Sequence, residues 1–229
     1  MSPALIRPAL PSSAAWAAAV AASLAEALRR ELEARPLALL VLSGGATARA
    51  VLPRLAAEAL PWHRVVLMPA DERWVAADHP DSNEGLIRAR LADAVAPARL
   101  AGLKSAHGEP EQALDVVAGR LAAEPWPAAA VFLGMGTDGH IASLFPGDDA
   151  GLDPGCGLRA CRRPDHPRLG LGPARLLSAR RIVLALAGAE KGAVLERALV
   201  PGSTLDLPVR LVLHQDRVPI EVISTPDAV

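Results

Sequence analysis

Five times along this chain a short apolar run breaks off into glycine, serine or charge. The runs are 37–42 (LALLVL), 64–70 (RVVLMPA), 128–134 (AAAVFLG), 180–188 (RRIVLALAG) and 218–224 (VPIEVIS). Continuous rather than alternating hydrophobicity marks strands buried on both faces. The stretches between them carry a helical period. Trp16, Val20, Leu24, Leu28 and Leu32 recur every four residues, one face of an amphipathic helix that Ser12 or Ser13 can cap and Pro36 must stop. Further helices are expected over 47–60, with Thr47 as N-cap and Pro53 bending or shortening it, over 83–95 behind Ser82, over about 110–124, and over 189–199. Strands alternating with helices predict an α/β fold: one doubly wound, mostly parallel sheet with helices on both faces, a single domain over 1–229. Residues 147–173 are rich in glycine and proline and promise only short strands.

In such sheets ligands bind beyond the carboxyl ends of the strands. The polar, glycine-rich stretches that follow the strands should therefore meet in space. Composition narrows what they can meet around. Twenty-four Lys and Arg against 25 Asp and Glu leave a net charge of −1, so no whole-chain field draws in nucleic acid or an anionic membrane. Cys156 and Cys161 are too few for a disulfide scaffold and lack companion ligands for zinc; they read as reduced thiols in a cytoplasmic protein. No run is long and apolar enough to span a bilayer. The Ala-rich start carries Glu26, Glu31 and Glu33 and only Arg7 ahead of it, unlike a signal peptide.

Three strand-to-helix junctions carry chemistry. In Ser43-Gly44-Gly45-Ala46-Thr47 the glycines free backbone N–H groups to face an anion at a helix N-terminus, and Ser43 and Thr47 add hydroxyls. It is neither a Walker loop nor GxGxxG, so no nucleotide is indicated. In Asp71-Glu72-Arg73 an arginine at a strand end can clamp a phosphate or carboxylate while a neighbouring carboxylate orients it. Asn83, in the Asp81-Ser82-Asn83 run, can donate to the same ligand. The third junction is FLGMGTDGHIASLFPG, 132–147. His140 has the side chain best suited to take a proton from water near neutral pH. Asp138 is placed to fix its tautomer, and Gly136 among other glycines lets the backbone approach a ligand.

The remaining histidines lack such a setting. His63, His107 and His214 read as surface or loop positions, His79 sits between Asp78 and Asp81 without regular ligand spacing, and His166 lies between Pro164 and Pro167. With no HExxH and no paired histidines at helical spacing, a protein-bound metal is not expected. No GxSxG elbow is present either. The window 159–181 holds seven arginines against Asp165 alone and reads as a positive patch. Lys191 opens the last helix, where a cation is poorly placed for the helix dipole unless an anion lies between.

In order along most of the chain, LSGGAT, DERWVAADHPDSN, FLGMGTDGHIASLFPG and RIVLALAGAEKGAVLERAL resemble the 6-phosphogluconolactonases, lactone hydrolases of the pentose phosphate pathway. That superfamily shares a Rossmann-like fold with the glucosamine-6-phosphate deaminase/isomerases, which carry an Asn-Glu-Pro-containing run where this chain has SLFPG. The resemblance implies hydrolysis of 6-phospho-D-glucono-1,5-lactone without cofactor or metal, His140 as general base, and a phosphate held by the 43–47 turn, Arg73, Arg168 and Lys191. Ala48, Ala70 and Ile141 depart from the usual pattern and bear on fine substrate geometry. The partner implied is a small sugar-phosphate lactone, with a monomer favoured. Two other readings stand beside it: the amino-sugar-phosphate deaminase, and a sugar-phosphate sensor without turnover.

Overall fold

The computed structural model describes residues 4–91 and 97–229, so the end of the helix expected over 83–95 lies outside the described residues. The first helix, α1 (Ser13–Ala34), starts where the Ser12 hydroxyl accepts from the Ala15 N–H at 3.2 Å. It ends ahead of Pro36, and its expected apolar stripe is buried throughout. The indole N–H of Trp16 donates to the carbonyl of Ile223 at 3.0 Å, fastening α1 to the last strand.

All five expected strands form: β2 (Ala38–Leu42), β3 (Val65–Pro69), β6 (Ala130–Leu133), β9 (Ile182–Ala187) and β10 (Ile220–Thr225). Two-residue strands, β1 (Leu5–Ile6) and β5 (Arg99–Leu100), complete the edges; neither is long enough to show a period in the sequence. The order is β1-β10-β9-β6-β2-β3-β5, with every pairing parallel. Leu40 and Leu42 pack beneath α1, α2 (Gly45–Ala56) and α3 (Asn83–Leu91). Leu39 and Val41 face the other layer with residues of α4 (Leu114–Ala122), the short α5 (Pro173–Leu176) and α6 (Ala189–Leu199). This period-two alternation within an unbroken apolar run is what burial on both faces requires.

From β2 the chain winds outward through β3 to β5, then returns to place β6 on the other side of β2 and winds out through β9 to β10. The reversal falls between β2 and β6, the position where doubly wound sheets bind their ligands.

Two local expectations are corrected. Thr47 is not the N-cap of α2; Gly44 is, without a side-chain cap, and Thr47 lies buried within the first turn. Glycine lets the turn close without a capping side chain, which frees the Thr47 hydroxyl. Asp71–Arg73, expected only as a polar stretch at the end of the preceding strand, forms a strand of its own, β4, antiparallel to β8 (Arg168–Leu171), which pairs in turn with β7 (Leu158–Cys161). The partner of β4 lies nearly a hundred residues away, so no local pattern announces this second, three-stranded sheet.

Candidate active site

A cleft of about 220 Å³ opens at the carboxyl ends of β2 and β6. It is smaller than the roughly 300–1,000 Å³ of sites for drug-sized molecules, and suits a ligand of a single ring. Eleven of the twelve residues singled out from the sequence line it: Ser43, Gly44, Gly45 and Thr47 from the β2–α2 turn, Asp71, Arg73 and Asn83, Gly136 and His140, and Arg168 and Lys191. The twelfth, Asp138, stands behind His140. Met135 and Ala142 also line the cleft and were not anticipated; as small or apolar residues beside a motif they carry no chemical signal.

Asp138 Oδ1 lies 2.6 Å from His140 Nδ1 and also accepts the His140 backbone N–H at 3.1 Å. With Nδ1 donating to the carboxylate, a neutral His140 ring carries its lone pair on Nε2. Partial burial pushes the Asp138 carboxyl up, but the backbone N–H, ring and charge of His140 outweigh it and hold it below the ordinary value. Gly136 is obligatory here: a Cβ would fall 2.2 Å from His140 Nδ1 and 2.6 Å from Asp138 Oδ1. The Phe145 ring backs the imidazole at a centroid distance of 4.7 Å.

The cations of the cleft differ in how far they are neutralised. Arg73 and Arg168 are direct partners in the β4–β8 register and so project from the same face of the small sheet. Arg168 is paired with Asp165 at 2.6 Å and lies 3.7 Å from Asp71. Arg73 donates through Nη1 to the Asp81 carbonyl at 2.9 Å, while its buried Nε has no partner. Lys191 lies in the first turn of α6, and burial alone pushes its ammonium down. It forms no ion pair among the described residues. The Ser43 hydroxyl is buried in the cleft and likewise unpartnered. Unsatisfied buried donors cost stability unless a ligand meets them. Together these groups form a positive, donor-rich pocket for an anion.

A buried polar frame holds the walls. Asp71 accepts from Ser143 Oγ at 2.6 Å and from Asn83 Nδ2 at 3.2 Å, so its oxygens are spent on neighbours. Glu72 accepts the backbone N–H groups of Arg73, Asn83 and Glu84 at 2.7–2.9 Å and the Ser82 hydroxyl at 3.3 Å. Burial raises its carboxyl, and those N–H donors only partly offset this. Ser143 was missed from the sequence; a serine gives no sign of an aspartate seventy-two residues away.

The arginine window does not form one patch. Arg159 pairs with Asp148, Arg162 with Glu109 and Glu111, Arg180 with Glu31, and Arg181 with Glu26 and Glu221. Arg175 lies over Trp126 and Arg163 over Phe145. The partners come from distant segments, which a count along the window cannot include. His79 and His166 are corrected too, since the fold brings them together with Asp81 just outside the cleft. Cys156 and Cys161 are free thiols, both raised by burial. No described helix is long and apolar enough to cross a membrane.

Residues 11–220 match the family model described as glucosamine-6-phosphate isomerases/6-phosphogluconolactonase. A 6-phosphogluconolactonase of Pseudomonas aeruginosa is 40% identical over 212 residues, 89% of each chain. The crystal structure of a 6-phosphogluconolactonase from Shewanella baltica superposes with a TM-score of 0.92 at 32% identity, over 97% of both chains. A solved monomeric glucosamine-6-phosphate deaminase shares the fold alone, with a TM-score of 0.79 at 18% identity over 97% of this chain and 98% of that one.

Proposed function

The chain belongs to the glucosamine-6-phosphate isomerase/6-phosphogluconolactonase family, and we propose that within it the protein hydrolyses 6-phospho-D-glucono-1,5-lactone to 6-phosphogluconate. The observation that carries this reading is the pairing, in one cleft, of an oriented imidazole with a half-buried lysine that has no ion-pair partner among the described residues. One suits proton transfer at a carbonyl, the other an anion at the far end of a small substrate.

His140 takes a proton from water through Nε2 as the water oxygen attacks the C1 carbonyl. Asp138 holds the ring in the required tautomer and steadies the imidazolium. The carbonyl π electrons move onto oxygen, and the oxyanion is met by backbone N–H groups of the glycine-rich 134–139 turn. Collapse of the tetrahedral intermediate breaks the bond from C1 to the ring oxygen. That oxygen leaves with the electron pair and receives the proton back from His140, which restores the base. The 43–47 turn, Arg73, Arg168 and Lys191 hold the phosphate, with the α2 dipole behind the turn. Asp71 acts at one remove, by orienting Arg168 and Asn83. Proteins named 6-phosphogluconolactonase match this chain at 32–40% identity over most of its length, which favours this chemistry over amino-sugar deamination.

The test is a coupled assay with freshly prepared phosphogluconolactone, scored against spontaneous opening, beside ammonia release from glucosamine 6-phosphate. Acceleration of the first without the second is expected. The opposite pair of results moves the protein to the deaminase branch. Binding of 6-phosphogluconate with neither turnover makes it a sensor.

A further inference from the structure

We propose a second site on this protein: a divalent transition-metal ion of the zinc class, held by His79 Nδ1, Asp81 Oδ2 and His166 Nε2, outside the cleft and with no part in the lactone chemistry. Histidines 79 and 166 come from different segments. The first shares the β4–α3 loop with Asp81; the other sits in the turn that leads into β8. One donor atom from each of the three residues lies within 4.8 Å of the others, the only such cluster among the described residues. Asp81 Oδ2 is 3.0 Å from His166 Nε2 and 3.9 Å from His79 Nδ1. Bonds of roughly 2.0–2.1 Å to nitrogen or oxygen in a tetrahedral zinc site put donor atoms about 3.4 Å apart. The observed separations straddle that value, so small side-chain rotations suffice.

One histidine already carries its lone pair on the nitrogen a metal needs. The Asp81 backbone N–H donates to His79 Nδ1 at 3.1 Å, which keeps the ring proton on Nε2 and leaves the Nδ1 lone pair on the Asp81 side, where the ion would take it over. His166 Nε2, 3.0 Å from Asp81 Oδ2, takes the tautomer protonated on Nδ1 when the ion enters, so that the ion replaces the hydrogen bond between the two side chains. Two imidazoles and one carboxylate suit zinc, cobalt or nickel better than magnesium or calcium. Three protein ligands leave room for water to complete the shell. The side chains are 42%, 53% and 26% exposed, so the ion enters from solvent and exchanges freely.

Bound there, the ion links two segments that each lead into the cleft. The Asp81 carbonyl accepts from Arg73 Nη1, Asn83 follows two residues on, and Arg168 lies two residues beyond His166. The ion therefore stiffens one wall of the cleft without touching reacting atoms.

The test uses the full chain, stripped with EDTA and desalted, titrated with Co²⁺ while its visible spectrum is followed, and with Zn²⁺ against a chromophoric chelator. One ion per chain is expected. His79→Ala and His166→Ala should each weaken binding roughly tenfold or more, since even groups that merely support a ligand are worth roughly ten- to a hundredfold in affinity. His63→Ala, at an exposed position outside the cluster, should leave it unchanged. Zn²⁺ should raise the melting temperature of the parent protein and not of the two variants. Metal-free turnover should be the same in all four proteins, so a failed lactonase assay leaves this result readable. No uptake by the parent protein, or equal uptake by both cluster variants, overturns the site.

Discussion

At the scale of the residue, everything turns on His140. Asparagine keeps a polar side chain of similar reach but cannot accept a proton near neutral pH. His140→Asn should therefore cut kcat by about 10²–10⁴ while affinity for 6-phosphogluconate and the melting temperature stay close to those of the parent. Near-normal kcat in a folded asparagine variant ends the case for a base. His140 and Asp138 were legible in the sequence because the pair is local: two residues apart, among glycines one of which the ring geometry demands. The Asp71–Ser143 bond was not, because its two halves are read from separate passages of the chain.

At the scale of the element, the first turn of α6 carries a cost that only a ligand offsets. Burial depresses the Lys191 ammonium, and a base with a lowered folded-state pKa contributes stability above its unfolded value that is lost as pH falls through the folded one. Near neutral pH the group therefore destabilises the free protein. Lys191→Met should raise the ligand-free melting temperature at pH 7, with the gain shrinking as pH climbs from the lowered folded value toward 10.5. The same change should lower kcat/KM on the phosphorylated lactone by roughly ten- to a hundredfold and narrow the preference over the unphosphorylated one; an unchanged preference removes Lys191 from the phosphate site. A second element-level prediction concerns β4. Glu72→Gln turns an amide NH₂ toward donors that Glu72 now accepts, costing about 1–3 kcal/mol in urea unfolding. Because burial raises the Glu72 carboxyl, its own contribution is largest below about pH 4.3 and fades as pH rises through the raised folded value. The stability gap between parent and variant should narrow over that range. The five central strands were legible as unbroken apolar runs; β4 and β8 were not, since their pairing is non-local and each is three or four residues long.

At the scale of the whole molecule, the alternation of strands and helices foretold a parallel sheet, and the reversal between β2 and β6 explains why the separate polar stretches share one cleft. The cleft holds one histidine, and the His79–Asp81–His166 cluster stands apart from it. Turnover should accordingly survive EDTA; loss on chelation with recovery on adding zinc would overturn the metal-free mechanism. The bond from Trp16 to Ile223 has a consequence in time as well as in space. Its two ends are 207 residues apart, so at about 5–20 residues per second a ribosome finishes β10 roughly 10–40 s after α1. Throughout that interval β2 and α2 can cover part of the α1 stripe, while the end bearing Trp16 waits for a strand not yet made. The nascent protein is thus sticky at its oldest part, and a chain released at Pro219 should bind trigger-type chaperones and a hydrophobic dye where the finished one does not.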